Sequence, residues 1–233
     1  MRGKVVRDDQ ISMLMPEFTE AFGSEDDKAL ARELLLITRE IRVLLGQLFL
    51  YRAMSRSKRF VDACNHSTAA EGANIVVATL LRSMIISTAA LFDEDRRAAS
   101  LRRTLTAALR PDRSEFLQLL HARNGSAELA GISAQRLVKY SRALRRGKLG
   151  EAIATLAELR NTAIAHFDLQ PKITGRRAMI HDIDHVISAA SIVAGEANVW
   201  VLARKVDGPA LRHILRKDAT GFVGVLQNGL STE

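Results

Sequence analysis

Apolar residues recur at helical spacing through most of the chain. Ser24 with Asp27 three positions on is a capping-box start, and Ala29, Leu30, Leu34, Ile37, Ile41, Leu44, Leu45 and Leu48 then hold one face. The pattern predicts one long amphipathic helix reaching about Met54. Thr68 with Glu71 predicts the start of a second, running through an apolar stretch to about Phe92, with a loop across Arg59 to His66 between the two. A shorter helix is expected around Leu101 to Leu109, with Ser100 as its N-cap and Pro111 as its stop. Asp112 with Glu115 predicts another that ends at the Asn124-Gly125 pair. Ser133 reads as the start of a basic helix ending near Gly147. From about Leu149 to His166 an apolar face returns, broken after by Pro171. The last long helix is expected from about Met179 to Arg204.

No alternating run is long enough for a sheet, so the fold class is all-α: an antiparallel helical bundle with a less regular C-terminal tail. The expected organisation is an N-terminal segment over 1–23, a helical domain over 24–204 and a tail over 205–233. In the tail, Asp207-Gly208-Pro209 is a turn and Leu211 to Leu215 the one short helical signal. The segment Ile75 to Phe92 is the most membrane-like. Arg82 stands in its middle and a central Arg is costly in lipid, so it reads as a buried helix of a soluble protein. That helix is apolar nearly all round, which predicts cover on two sides, the second supplied by another subunit. Met84, Met179 and Phe49 are expected in the core, and Trp200 as a core anchor or an interface residue.

Composition narrows the chemistry. Cys64 is the single cysteine, which excludes an intrachain disulfide and a thiolate zinc cluster and fits a reducing, cytoplasmic compartment. The N-terminus has two acids where a secretory signal needs an apolar run. The formal net charge is +8, and 26 of the 34 basic residues are arginine, the side chain that grips phosphate with two N–H groups at once. There is no Gly-rich loop ending in Lys-Ser or Lys-Thr, no Gly-x-Ser-x-Gly and no His-Glu-x-x-His. His181 and His185 lie four apart with Asp182 and Asp184 nearby, a metal-compatible spacing without a third convincing ligand; no metal or other cofactor is expected.

The most informative stretch is Leu159-Arg160-Asn161-Thr162-Ala163-Ile164-Ala165-His166-Phe167-Asp168. It resembles the active-site signature of the HEPN superfamily: Arg, four to six residues, His, with a polar residue often following the Arg. Arg59 to His66 and Arg176 to His181 also match the spacing, but only Arg160 to His166 has Asn beside the Arg and lies late on a strongly patterned helix followed by another. Upstream, Leu91-Phe92-Asp93-Glu94-Asp95 followed by Ala99-Ser100-Leu101-Arg102-Arg103 resembles the acidic corner and Ser-Leu helix start of the abortive-infection U-type (AbiU-like) branch. Together these resemblances cover about Leu44 to Ala203.

The resemblance implies a metal-independent endoribonuclease in phage defence or a toxin of a toxin-antitoxin pair, with Arg160 and His166 catalytic and Asn161 supporting. The residue types suit the chemistry. Cleavage by the RNA's own 2'-hydroxyl needs a proton removed, a proton delivered and a phosphoryl group stabilised. An imidazole shuttles protons near neutral pH, and a guanidinium stays cationic and holds phosphate oxygens. On a regular helix six positions leave the two residues roughly 120° apart, so one helix makes a poor site. The family's solution is a homodimer whose two motifs line one cleft. In many such toxins a Tyr two places after the His is modified by the antitoxin; Asp168 stands there instead, which argues against that regulation.

RNA capture is expected from two basic clusters, Arg96, Arg97, Arg102 and Arg103, and Arg142, Arg145, Arg146 and Lys148. Few aromatics are spare for base stacking. Two other readings remain: a non-catalytic HEPN-like module binding RNA, nucleotide or a protein partner, and a helix-turn-helix regulator using Ser133 to Arg146. For Arg160 the local alternatives are surface pairing with Glu158, Glu151 or Asp168.

Overall fold

The computed structural model describes residues 24–93, 95, 99–123, 126–161, 180–202 and 208–230. Among them stand nine α-helices and no strands. They are α1 (Glu25–Arg56), α2 (Lys58–Asn65), α3 (Ala70–Ala90), α4 (Leu101–Ala108), α5 (Pro111–Arg123), α6 (Ala127–Ala143), α7 (Gly147–Leu159), α8 (Ile180–Leu202) and α9 (Gly208–Leu230).

Helices α1 and α8 are the spine. Ser24 caps α1 as its sequence predicts: its Oγ accepts from the Asp27 amide at 3.2 Å and donates to the Asp27 carboxylate at 2.7 Å. The face built from Leu30, Leu34, Ile37, Ile41, Leu44, Leu45 and Leu48 is buried against α8, whose Ile183, Val186, Ile187, Ala190, Val193, Ala194 and Ala197 oppose it in the same cluster. Helix α8 also packs on α6 and α7, and α1 on α3 and α9. Trp200 is fully buried; its indole N–H donates to the Ala108 carbonyl at the end of α4 at 3.2 Å, satisfying one of the carbonyls a helix end leaves without a partner. Met84 and Phe49 are buried as expected, while Met179 lies outside the described residues.

Several boundaries depart from the sequence reading. Residues 58–65, expected in a loop, form α2, because Ser57 caps it by accepting from the Phe60 amide. Thr68 does not cap α3; Ser67 supplies the turn, its Oγ accepting from the Ala69 amide at 3.2 Å. Pro111 opens α5 rather than merely ending α4, as suits a residue whose missing N–H costs nothing in a first turn. Ser133 lies inside α6, buried, donating to Glu196 of α8 at 2.7 Å, so the helix expected to start there begins at Ala127 instead. Ser100 holds the N-cap position of α4 but its hydroxyl makes no capping bond.

The tail is more regular than expected. Residues 208–230 form one helix, α9, laid across α1 and α2. Its glycines hid the signal, since each lowers helix propensity by about 1 kcal/mol; packing of Leu211, Leu215, Ala219 and Val223 outweighs that. Helix α3 is the other correction. Only its C-terminal half is buried, at Met84, Ile85, Thr88 and Ala89, while Ile75, Val76 and Ile86 are exposed. Helices α3 and α8 are both long and apolar enough to cross a membrane by length and composition; α8 is mostly buried in the bundle, and α3 is covered by α1 and α7 on one side.

Candidate functional site

Helix α6 ends and α7 begins within a few residues. Gly147 permits this by taking φ of 64°, and Gly150 by its lack of a side chain, since a Cβ there would sit 2.8 Å from the Arg145 carbonyl carbon. Helix α7 then runs beside α3 with Ala152, Ile153 and Leu156 buried, which carries its C-terminal end to the end of α3. At Arg160 and Asn161 the winding loosens from α to π, a feature that recurs at functional sites.

Asp168 lies outside the described residues, among which Arg160 pairs with a carboxylate distant in sequence. Its Nη1 donates to Asp93 Oδ2 at 2.8 Å, across 67 positions of sequence, and its Nε donates to Asn161 Oδ1 at 2.9 Å. The two ion-pair side chains are 23% and 29% exposed, so the pair is partly desolvated yet open to solvent. Asn161 itself is exposed. His166 lies outside the described residues.

The described residues of the corner that carries Asp93 are tied together by hydrogen bonds. The Leu101 amide donates to the Leu91 carbonyl at 2.8 Å, closing the loop between α3 and α4. The Asp95 amide donates to Asp93 Oδ1 at 3.2 Å. Arg103 donates to the Asp95 carbonyl and pairs with Glu33 of α1 at 2.9 Å, and Glu33 also accepts from the Ser100 amide at 3.1 Å. Arg102 lies 6.0 Å over the buried Phe92 ring and donates to the Leu144 carbonyl at 2.7 Å, tying the corner to the end of α6.

The two predicted basic clusters meet in part. Arg102 and Arg103 of the first, Arg145 of the second, and Arg110, which the sequence reading did not single out, line one open groove of about 370 Å³ with Thr106 and Ala107. Arg145 donates to Thr106 Oγ1 at 3.3 Å. Arg142 and Arg146 are exposed at the same end of α6, and Arg96 and Arg97 lie outside the described residues. His181 and His185 are exposed on the first turns of α8, where His181 stands 3.2 Å from the buried Asp182 and Asp184 is held by Arg52 at 2.6 Å. Among the described residues no three His, Cys, Asp or Glu side chains gather as metal ligands would.

An all-helical bundle whose α7 ends in Arg-Asn against an acidic corner after α3 defines a HEPN-type domain. Residues 27–204 match the family model HEPN_AbiU2, described as AbiU2, and the chain belongs to that family of abortive-infection HEPN modules. Comparison with curated proteins and with solved structures gave no match.

Proposed function

We propose that this chain is a metal-independent endoribonuclease, active as a cytoplasmic homodimer in phage defence or as the toxin of a toxin-antitoxin pair. The observation that carries the reading is the meeting of Arg160 with Asp93: the two stretches that resemble the family, far apart in sequence, join around one accessible guanidinium. Arg160 would hold the transferring phosphoryl group and His166 would move protons between the 2'-hydroxyl and the leaving 5'-oxygen. Asn161, bonded to Arg160 Nε, would keep the guanidinium plane in register. A second copy would bring a second Arg-His motif, and the apolar α3 face left open by α1 and α7 supports such pairing. The arginine groove would take the RNA backbone through phosphate contacts, without sequence preference.

The test is RNA degradation by purified protein, with and without EDTA, beside Arg160→Ala and His166→Ala. Cleavage that survives EDTA and is lost in both variants is expected. Undiminished cleavage in both variants would remove the site. Saturable, salt-sensitive RNA binding that yields no new RNA ends would mark a non-catalytic binding module instead.

A further inference from the structure

We infer that Asp93 is the positioning residue of Arg160, fixing the guanidinium before substrate arrives; the inference deepens the nuclease reading and rests on it for the reaction, though not for the coupling. The backbone at Arg160 is helical, with φ of -57° and ψ of -47° and its N–H bonded back to Leu156 and Ala157, which sets the direction of Cβ but not where the guanidinium at the far end of the side chain lies. The free arginine side chain is long and carries much rotamer freedom. What fixes it lies outside α7. Asp93 Oδ2 takes Nη1 and Asn161 Oδ1 takes Nε, so among the described residues two of the five N–H donors are held, and the others are donors a phosphate could use.

The carboxylate is itself held by hydrogen bonds. Its Oδ1 accepts from the Asp95 amide, and the backbone that bears it is closed by the Leu101 to Leu91 hydrogen bond. Arg103 then clamps the Asp95 carbonyl to Glu33 on the longest helix of the bundle. An aspartate on a flexible loop would follow the arginine; one built into this corner makes the arginine follow it. A guanidinium misplaced by about 1 Å loses on the order of a hundredfold in rate where geometry governs the transition state.

Asp93→Asn keeps the shape and removes the charge, and Asp93→Glu keeps the charge at a longer reach. For Asp93→Asn kcat on RNA should fall about tenfold to a hundredfold with KM moving less than about threefold, and Asp93→Glu should recover part of the loss. Adding Asp93→Asn to Arg160→Ala should cost nothing further, because no guanidinium remains to orient. The same cycle is read on the Kd for an RNA whose 2'-hydroxyls are methylated and cannot be cleaved, so that the coupling is measured even if the wild-type chain cuts nothing. Non-additive losses in the Kd cycle, where Arg160→Ala still gives a measurable value, support the positioning role. Additive losses, a wild-type kcat in folded Asp93→Asn, or RNA binding indifferent to Arg160 in a chain that does not cut, would overturn it. Thermal unfolding of each variant separates this from a purely structural role, which would lower the melting temperature and leave kcat per folded molecule unchanged.

Discussion

The groove between α1 and α3 offers a quantitative test of pairing. It holds about 410 Å³ and is lined by the apolar Leu36, Ile37 and Val43 and the charged Arg39 and Glu40 of α1 and by Ser87, Ala90, Leu91 and Ala99, so it runs beside the corner that carries Asp93. Leu36 is 56% exposed in the single chain. Full burial of a leucine side chain is worth about 1.5–3 kcal/mol, so covering the exposed half contributes about 1 kcal/mol. A two-fold interface uses each residue twice, which makes about 2 kcal/mol per dimer, or about thirtyfold in the dimer dissociation constant. Leu36→Ser should therefore weaken dimerisation about thirtyfold in sedimentation equilibrium while costing little stability, since the lost area faces solvent in the monomer. RNA cleavage should then fall steeply as the protein is diluted below the new dissociation constant. Ile75→Ser, 59% exposed at the far end of α3, is the comparison: it responds only if the partner covers the whole helix. A wild-type chain that stays monomeric at 100 μM on the order of magnitude used for such interfaces, or a Leu36→Ser dimer as tight as wild type, refutes the reasoning.

Other expectations follow from single contacts. Trp200→Phe removes the N–H that satisfies the Ala108 carbonyl and leaves a small void at a fully buried site, a loss of about 2–4 kcal/mol, which should lower the melting temperature by about 4–16 °C; a shift under about 2 °C would show that Ala108 finds another donor. Cys64 sits with Met54, Phe60 and Val223, and burial pushes its thiol above the ordinary range, so the native chain should react with a disulfide reagent far more slowly than a free thiol, and deletion of α9 after residue 207 should speed the reaction. Because the folded value is raised, the stability this thiol contributes is complete below the ordinary thiol range and is lost as pH rises through the folded value; urea midpoints of the wild type and Cys64→Ala should diverge there, the wild type falling more steeply. Arg145→Ala should reduce the salt dependence of single-strand RNA binding by about 0.7 in log-log slope, and an unchanged slope would take the groove out of the RNA path.

The long elements are legible in the sequence because burial on one face forces a period. The stripes on α1 and α8 mark helices whose cores meet, and Ser24 caps where it is expected to. Legibility fails where a residue serves a distant partner. Ser133 looks like a cap but answers Glu196 on α8, and α6 begins six residues earlier. Helix α9 is held by the faces of α1 and α2, which its own glycine-rich sequence does not reveal. The same limit applies to the site. Local spacing offers Glu158, Glu151 or Asp168 to Arg160, whereas the topology that sets α7 beside α3 delivers Asp93. Arg160 and the acidic corner are each visible as motifs, but their contact belongs to the tertiary structure alone.

That contact has an electrostatic consequence for how RNA could be drawn in. Paired at 2.8 Å, Asp93 and Arg160 nearly cancel at a distance, so the guanidinium that would hold the phosphoryl group contributes little to the long-range field. Attraction would have to come from elsewhere, and since Arg103 and Arg110 of the groove are themselves paired with Glu33 and Asp112, it would fall first to Arg145 and to Arg142 and Arg146, exposed at the end of α6. Capture and orientation are thus assigned to different arginines joined through one corner: Arg103 grips the Asp95 carbonyl and Asp93 grips Arg160. Raising salt should then weaken RNA binding through the groove while leaving kcat at saturating RNA almost unchanged, because the partly desolvated Asp93–Arg160 pair is screened less than the exposed groove. Steady-state kinetics between 50 and 200 mM salt, on the order of the range over which phosphate contacts lose most affinity, separate the two. A kcat that falls in step with binding would mean that the same arginines perform both tasks.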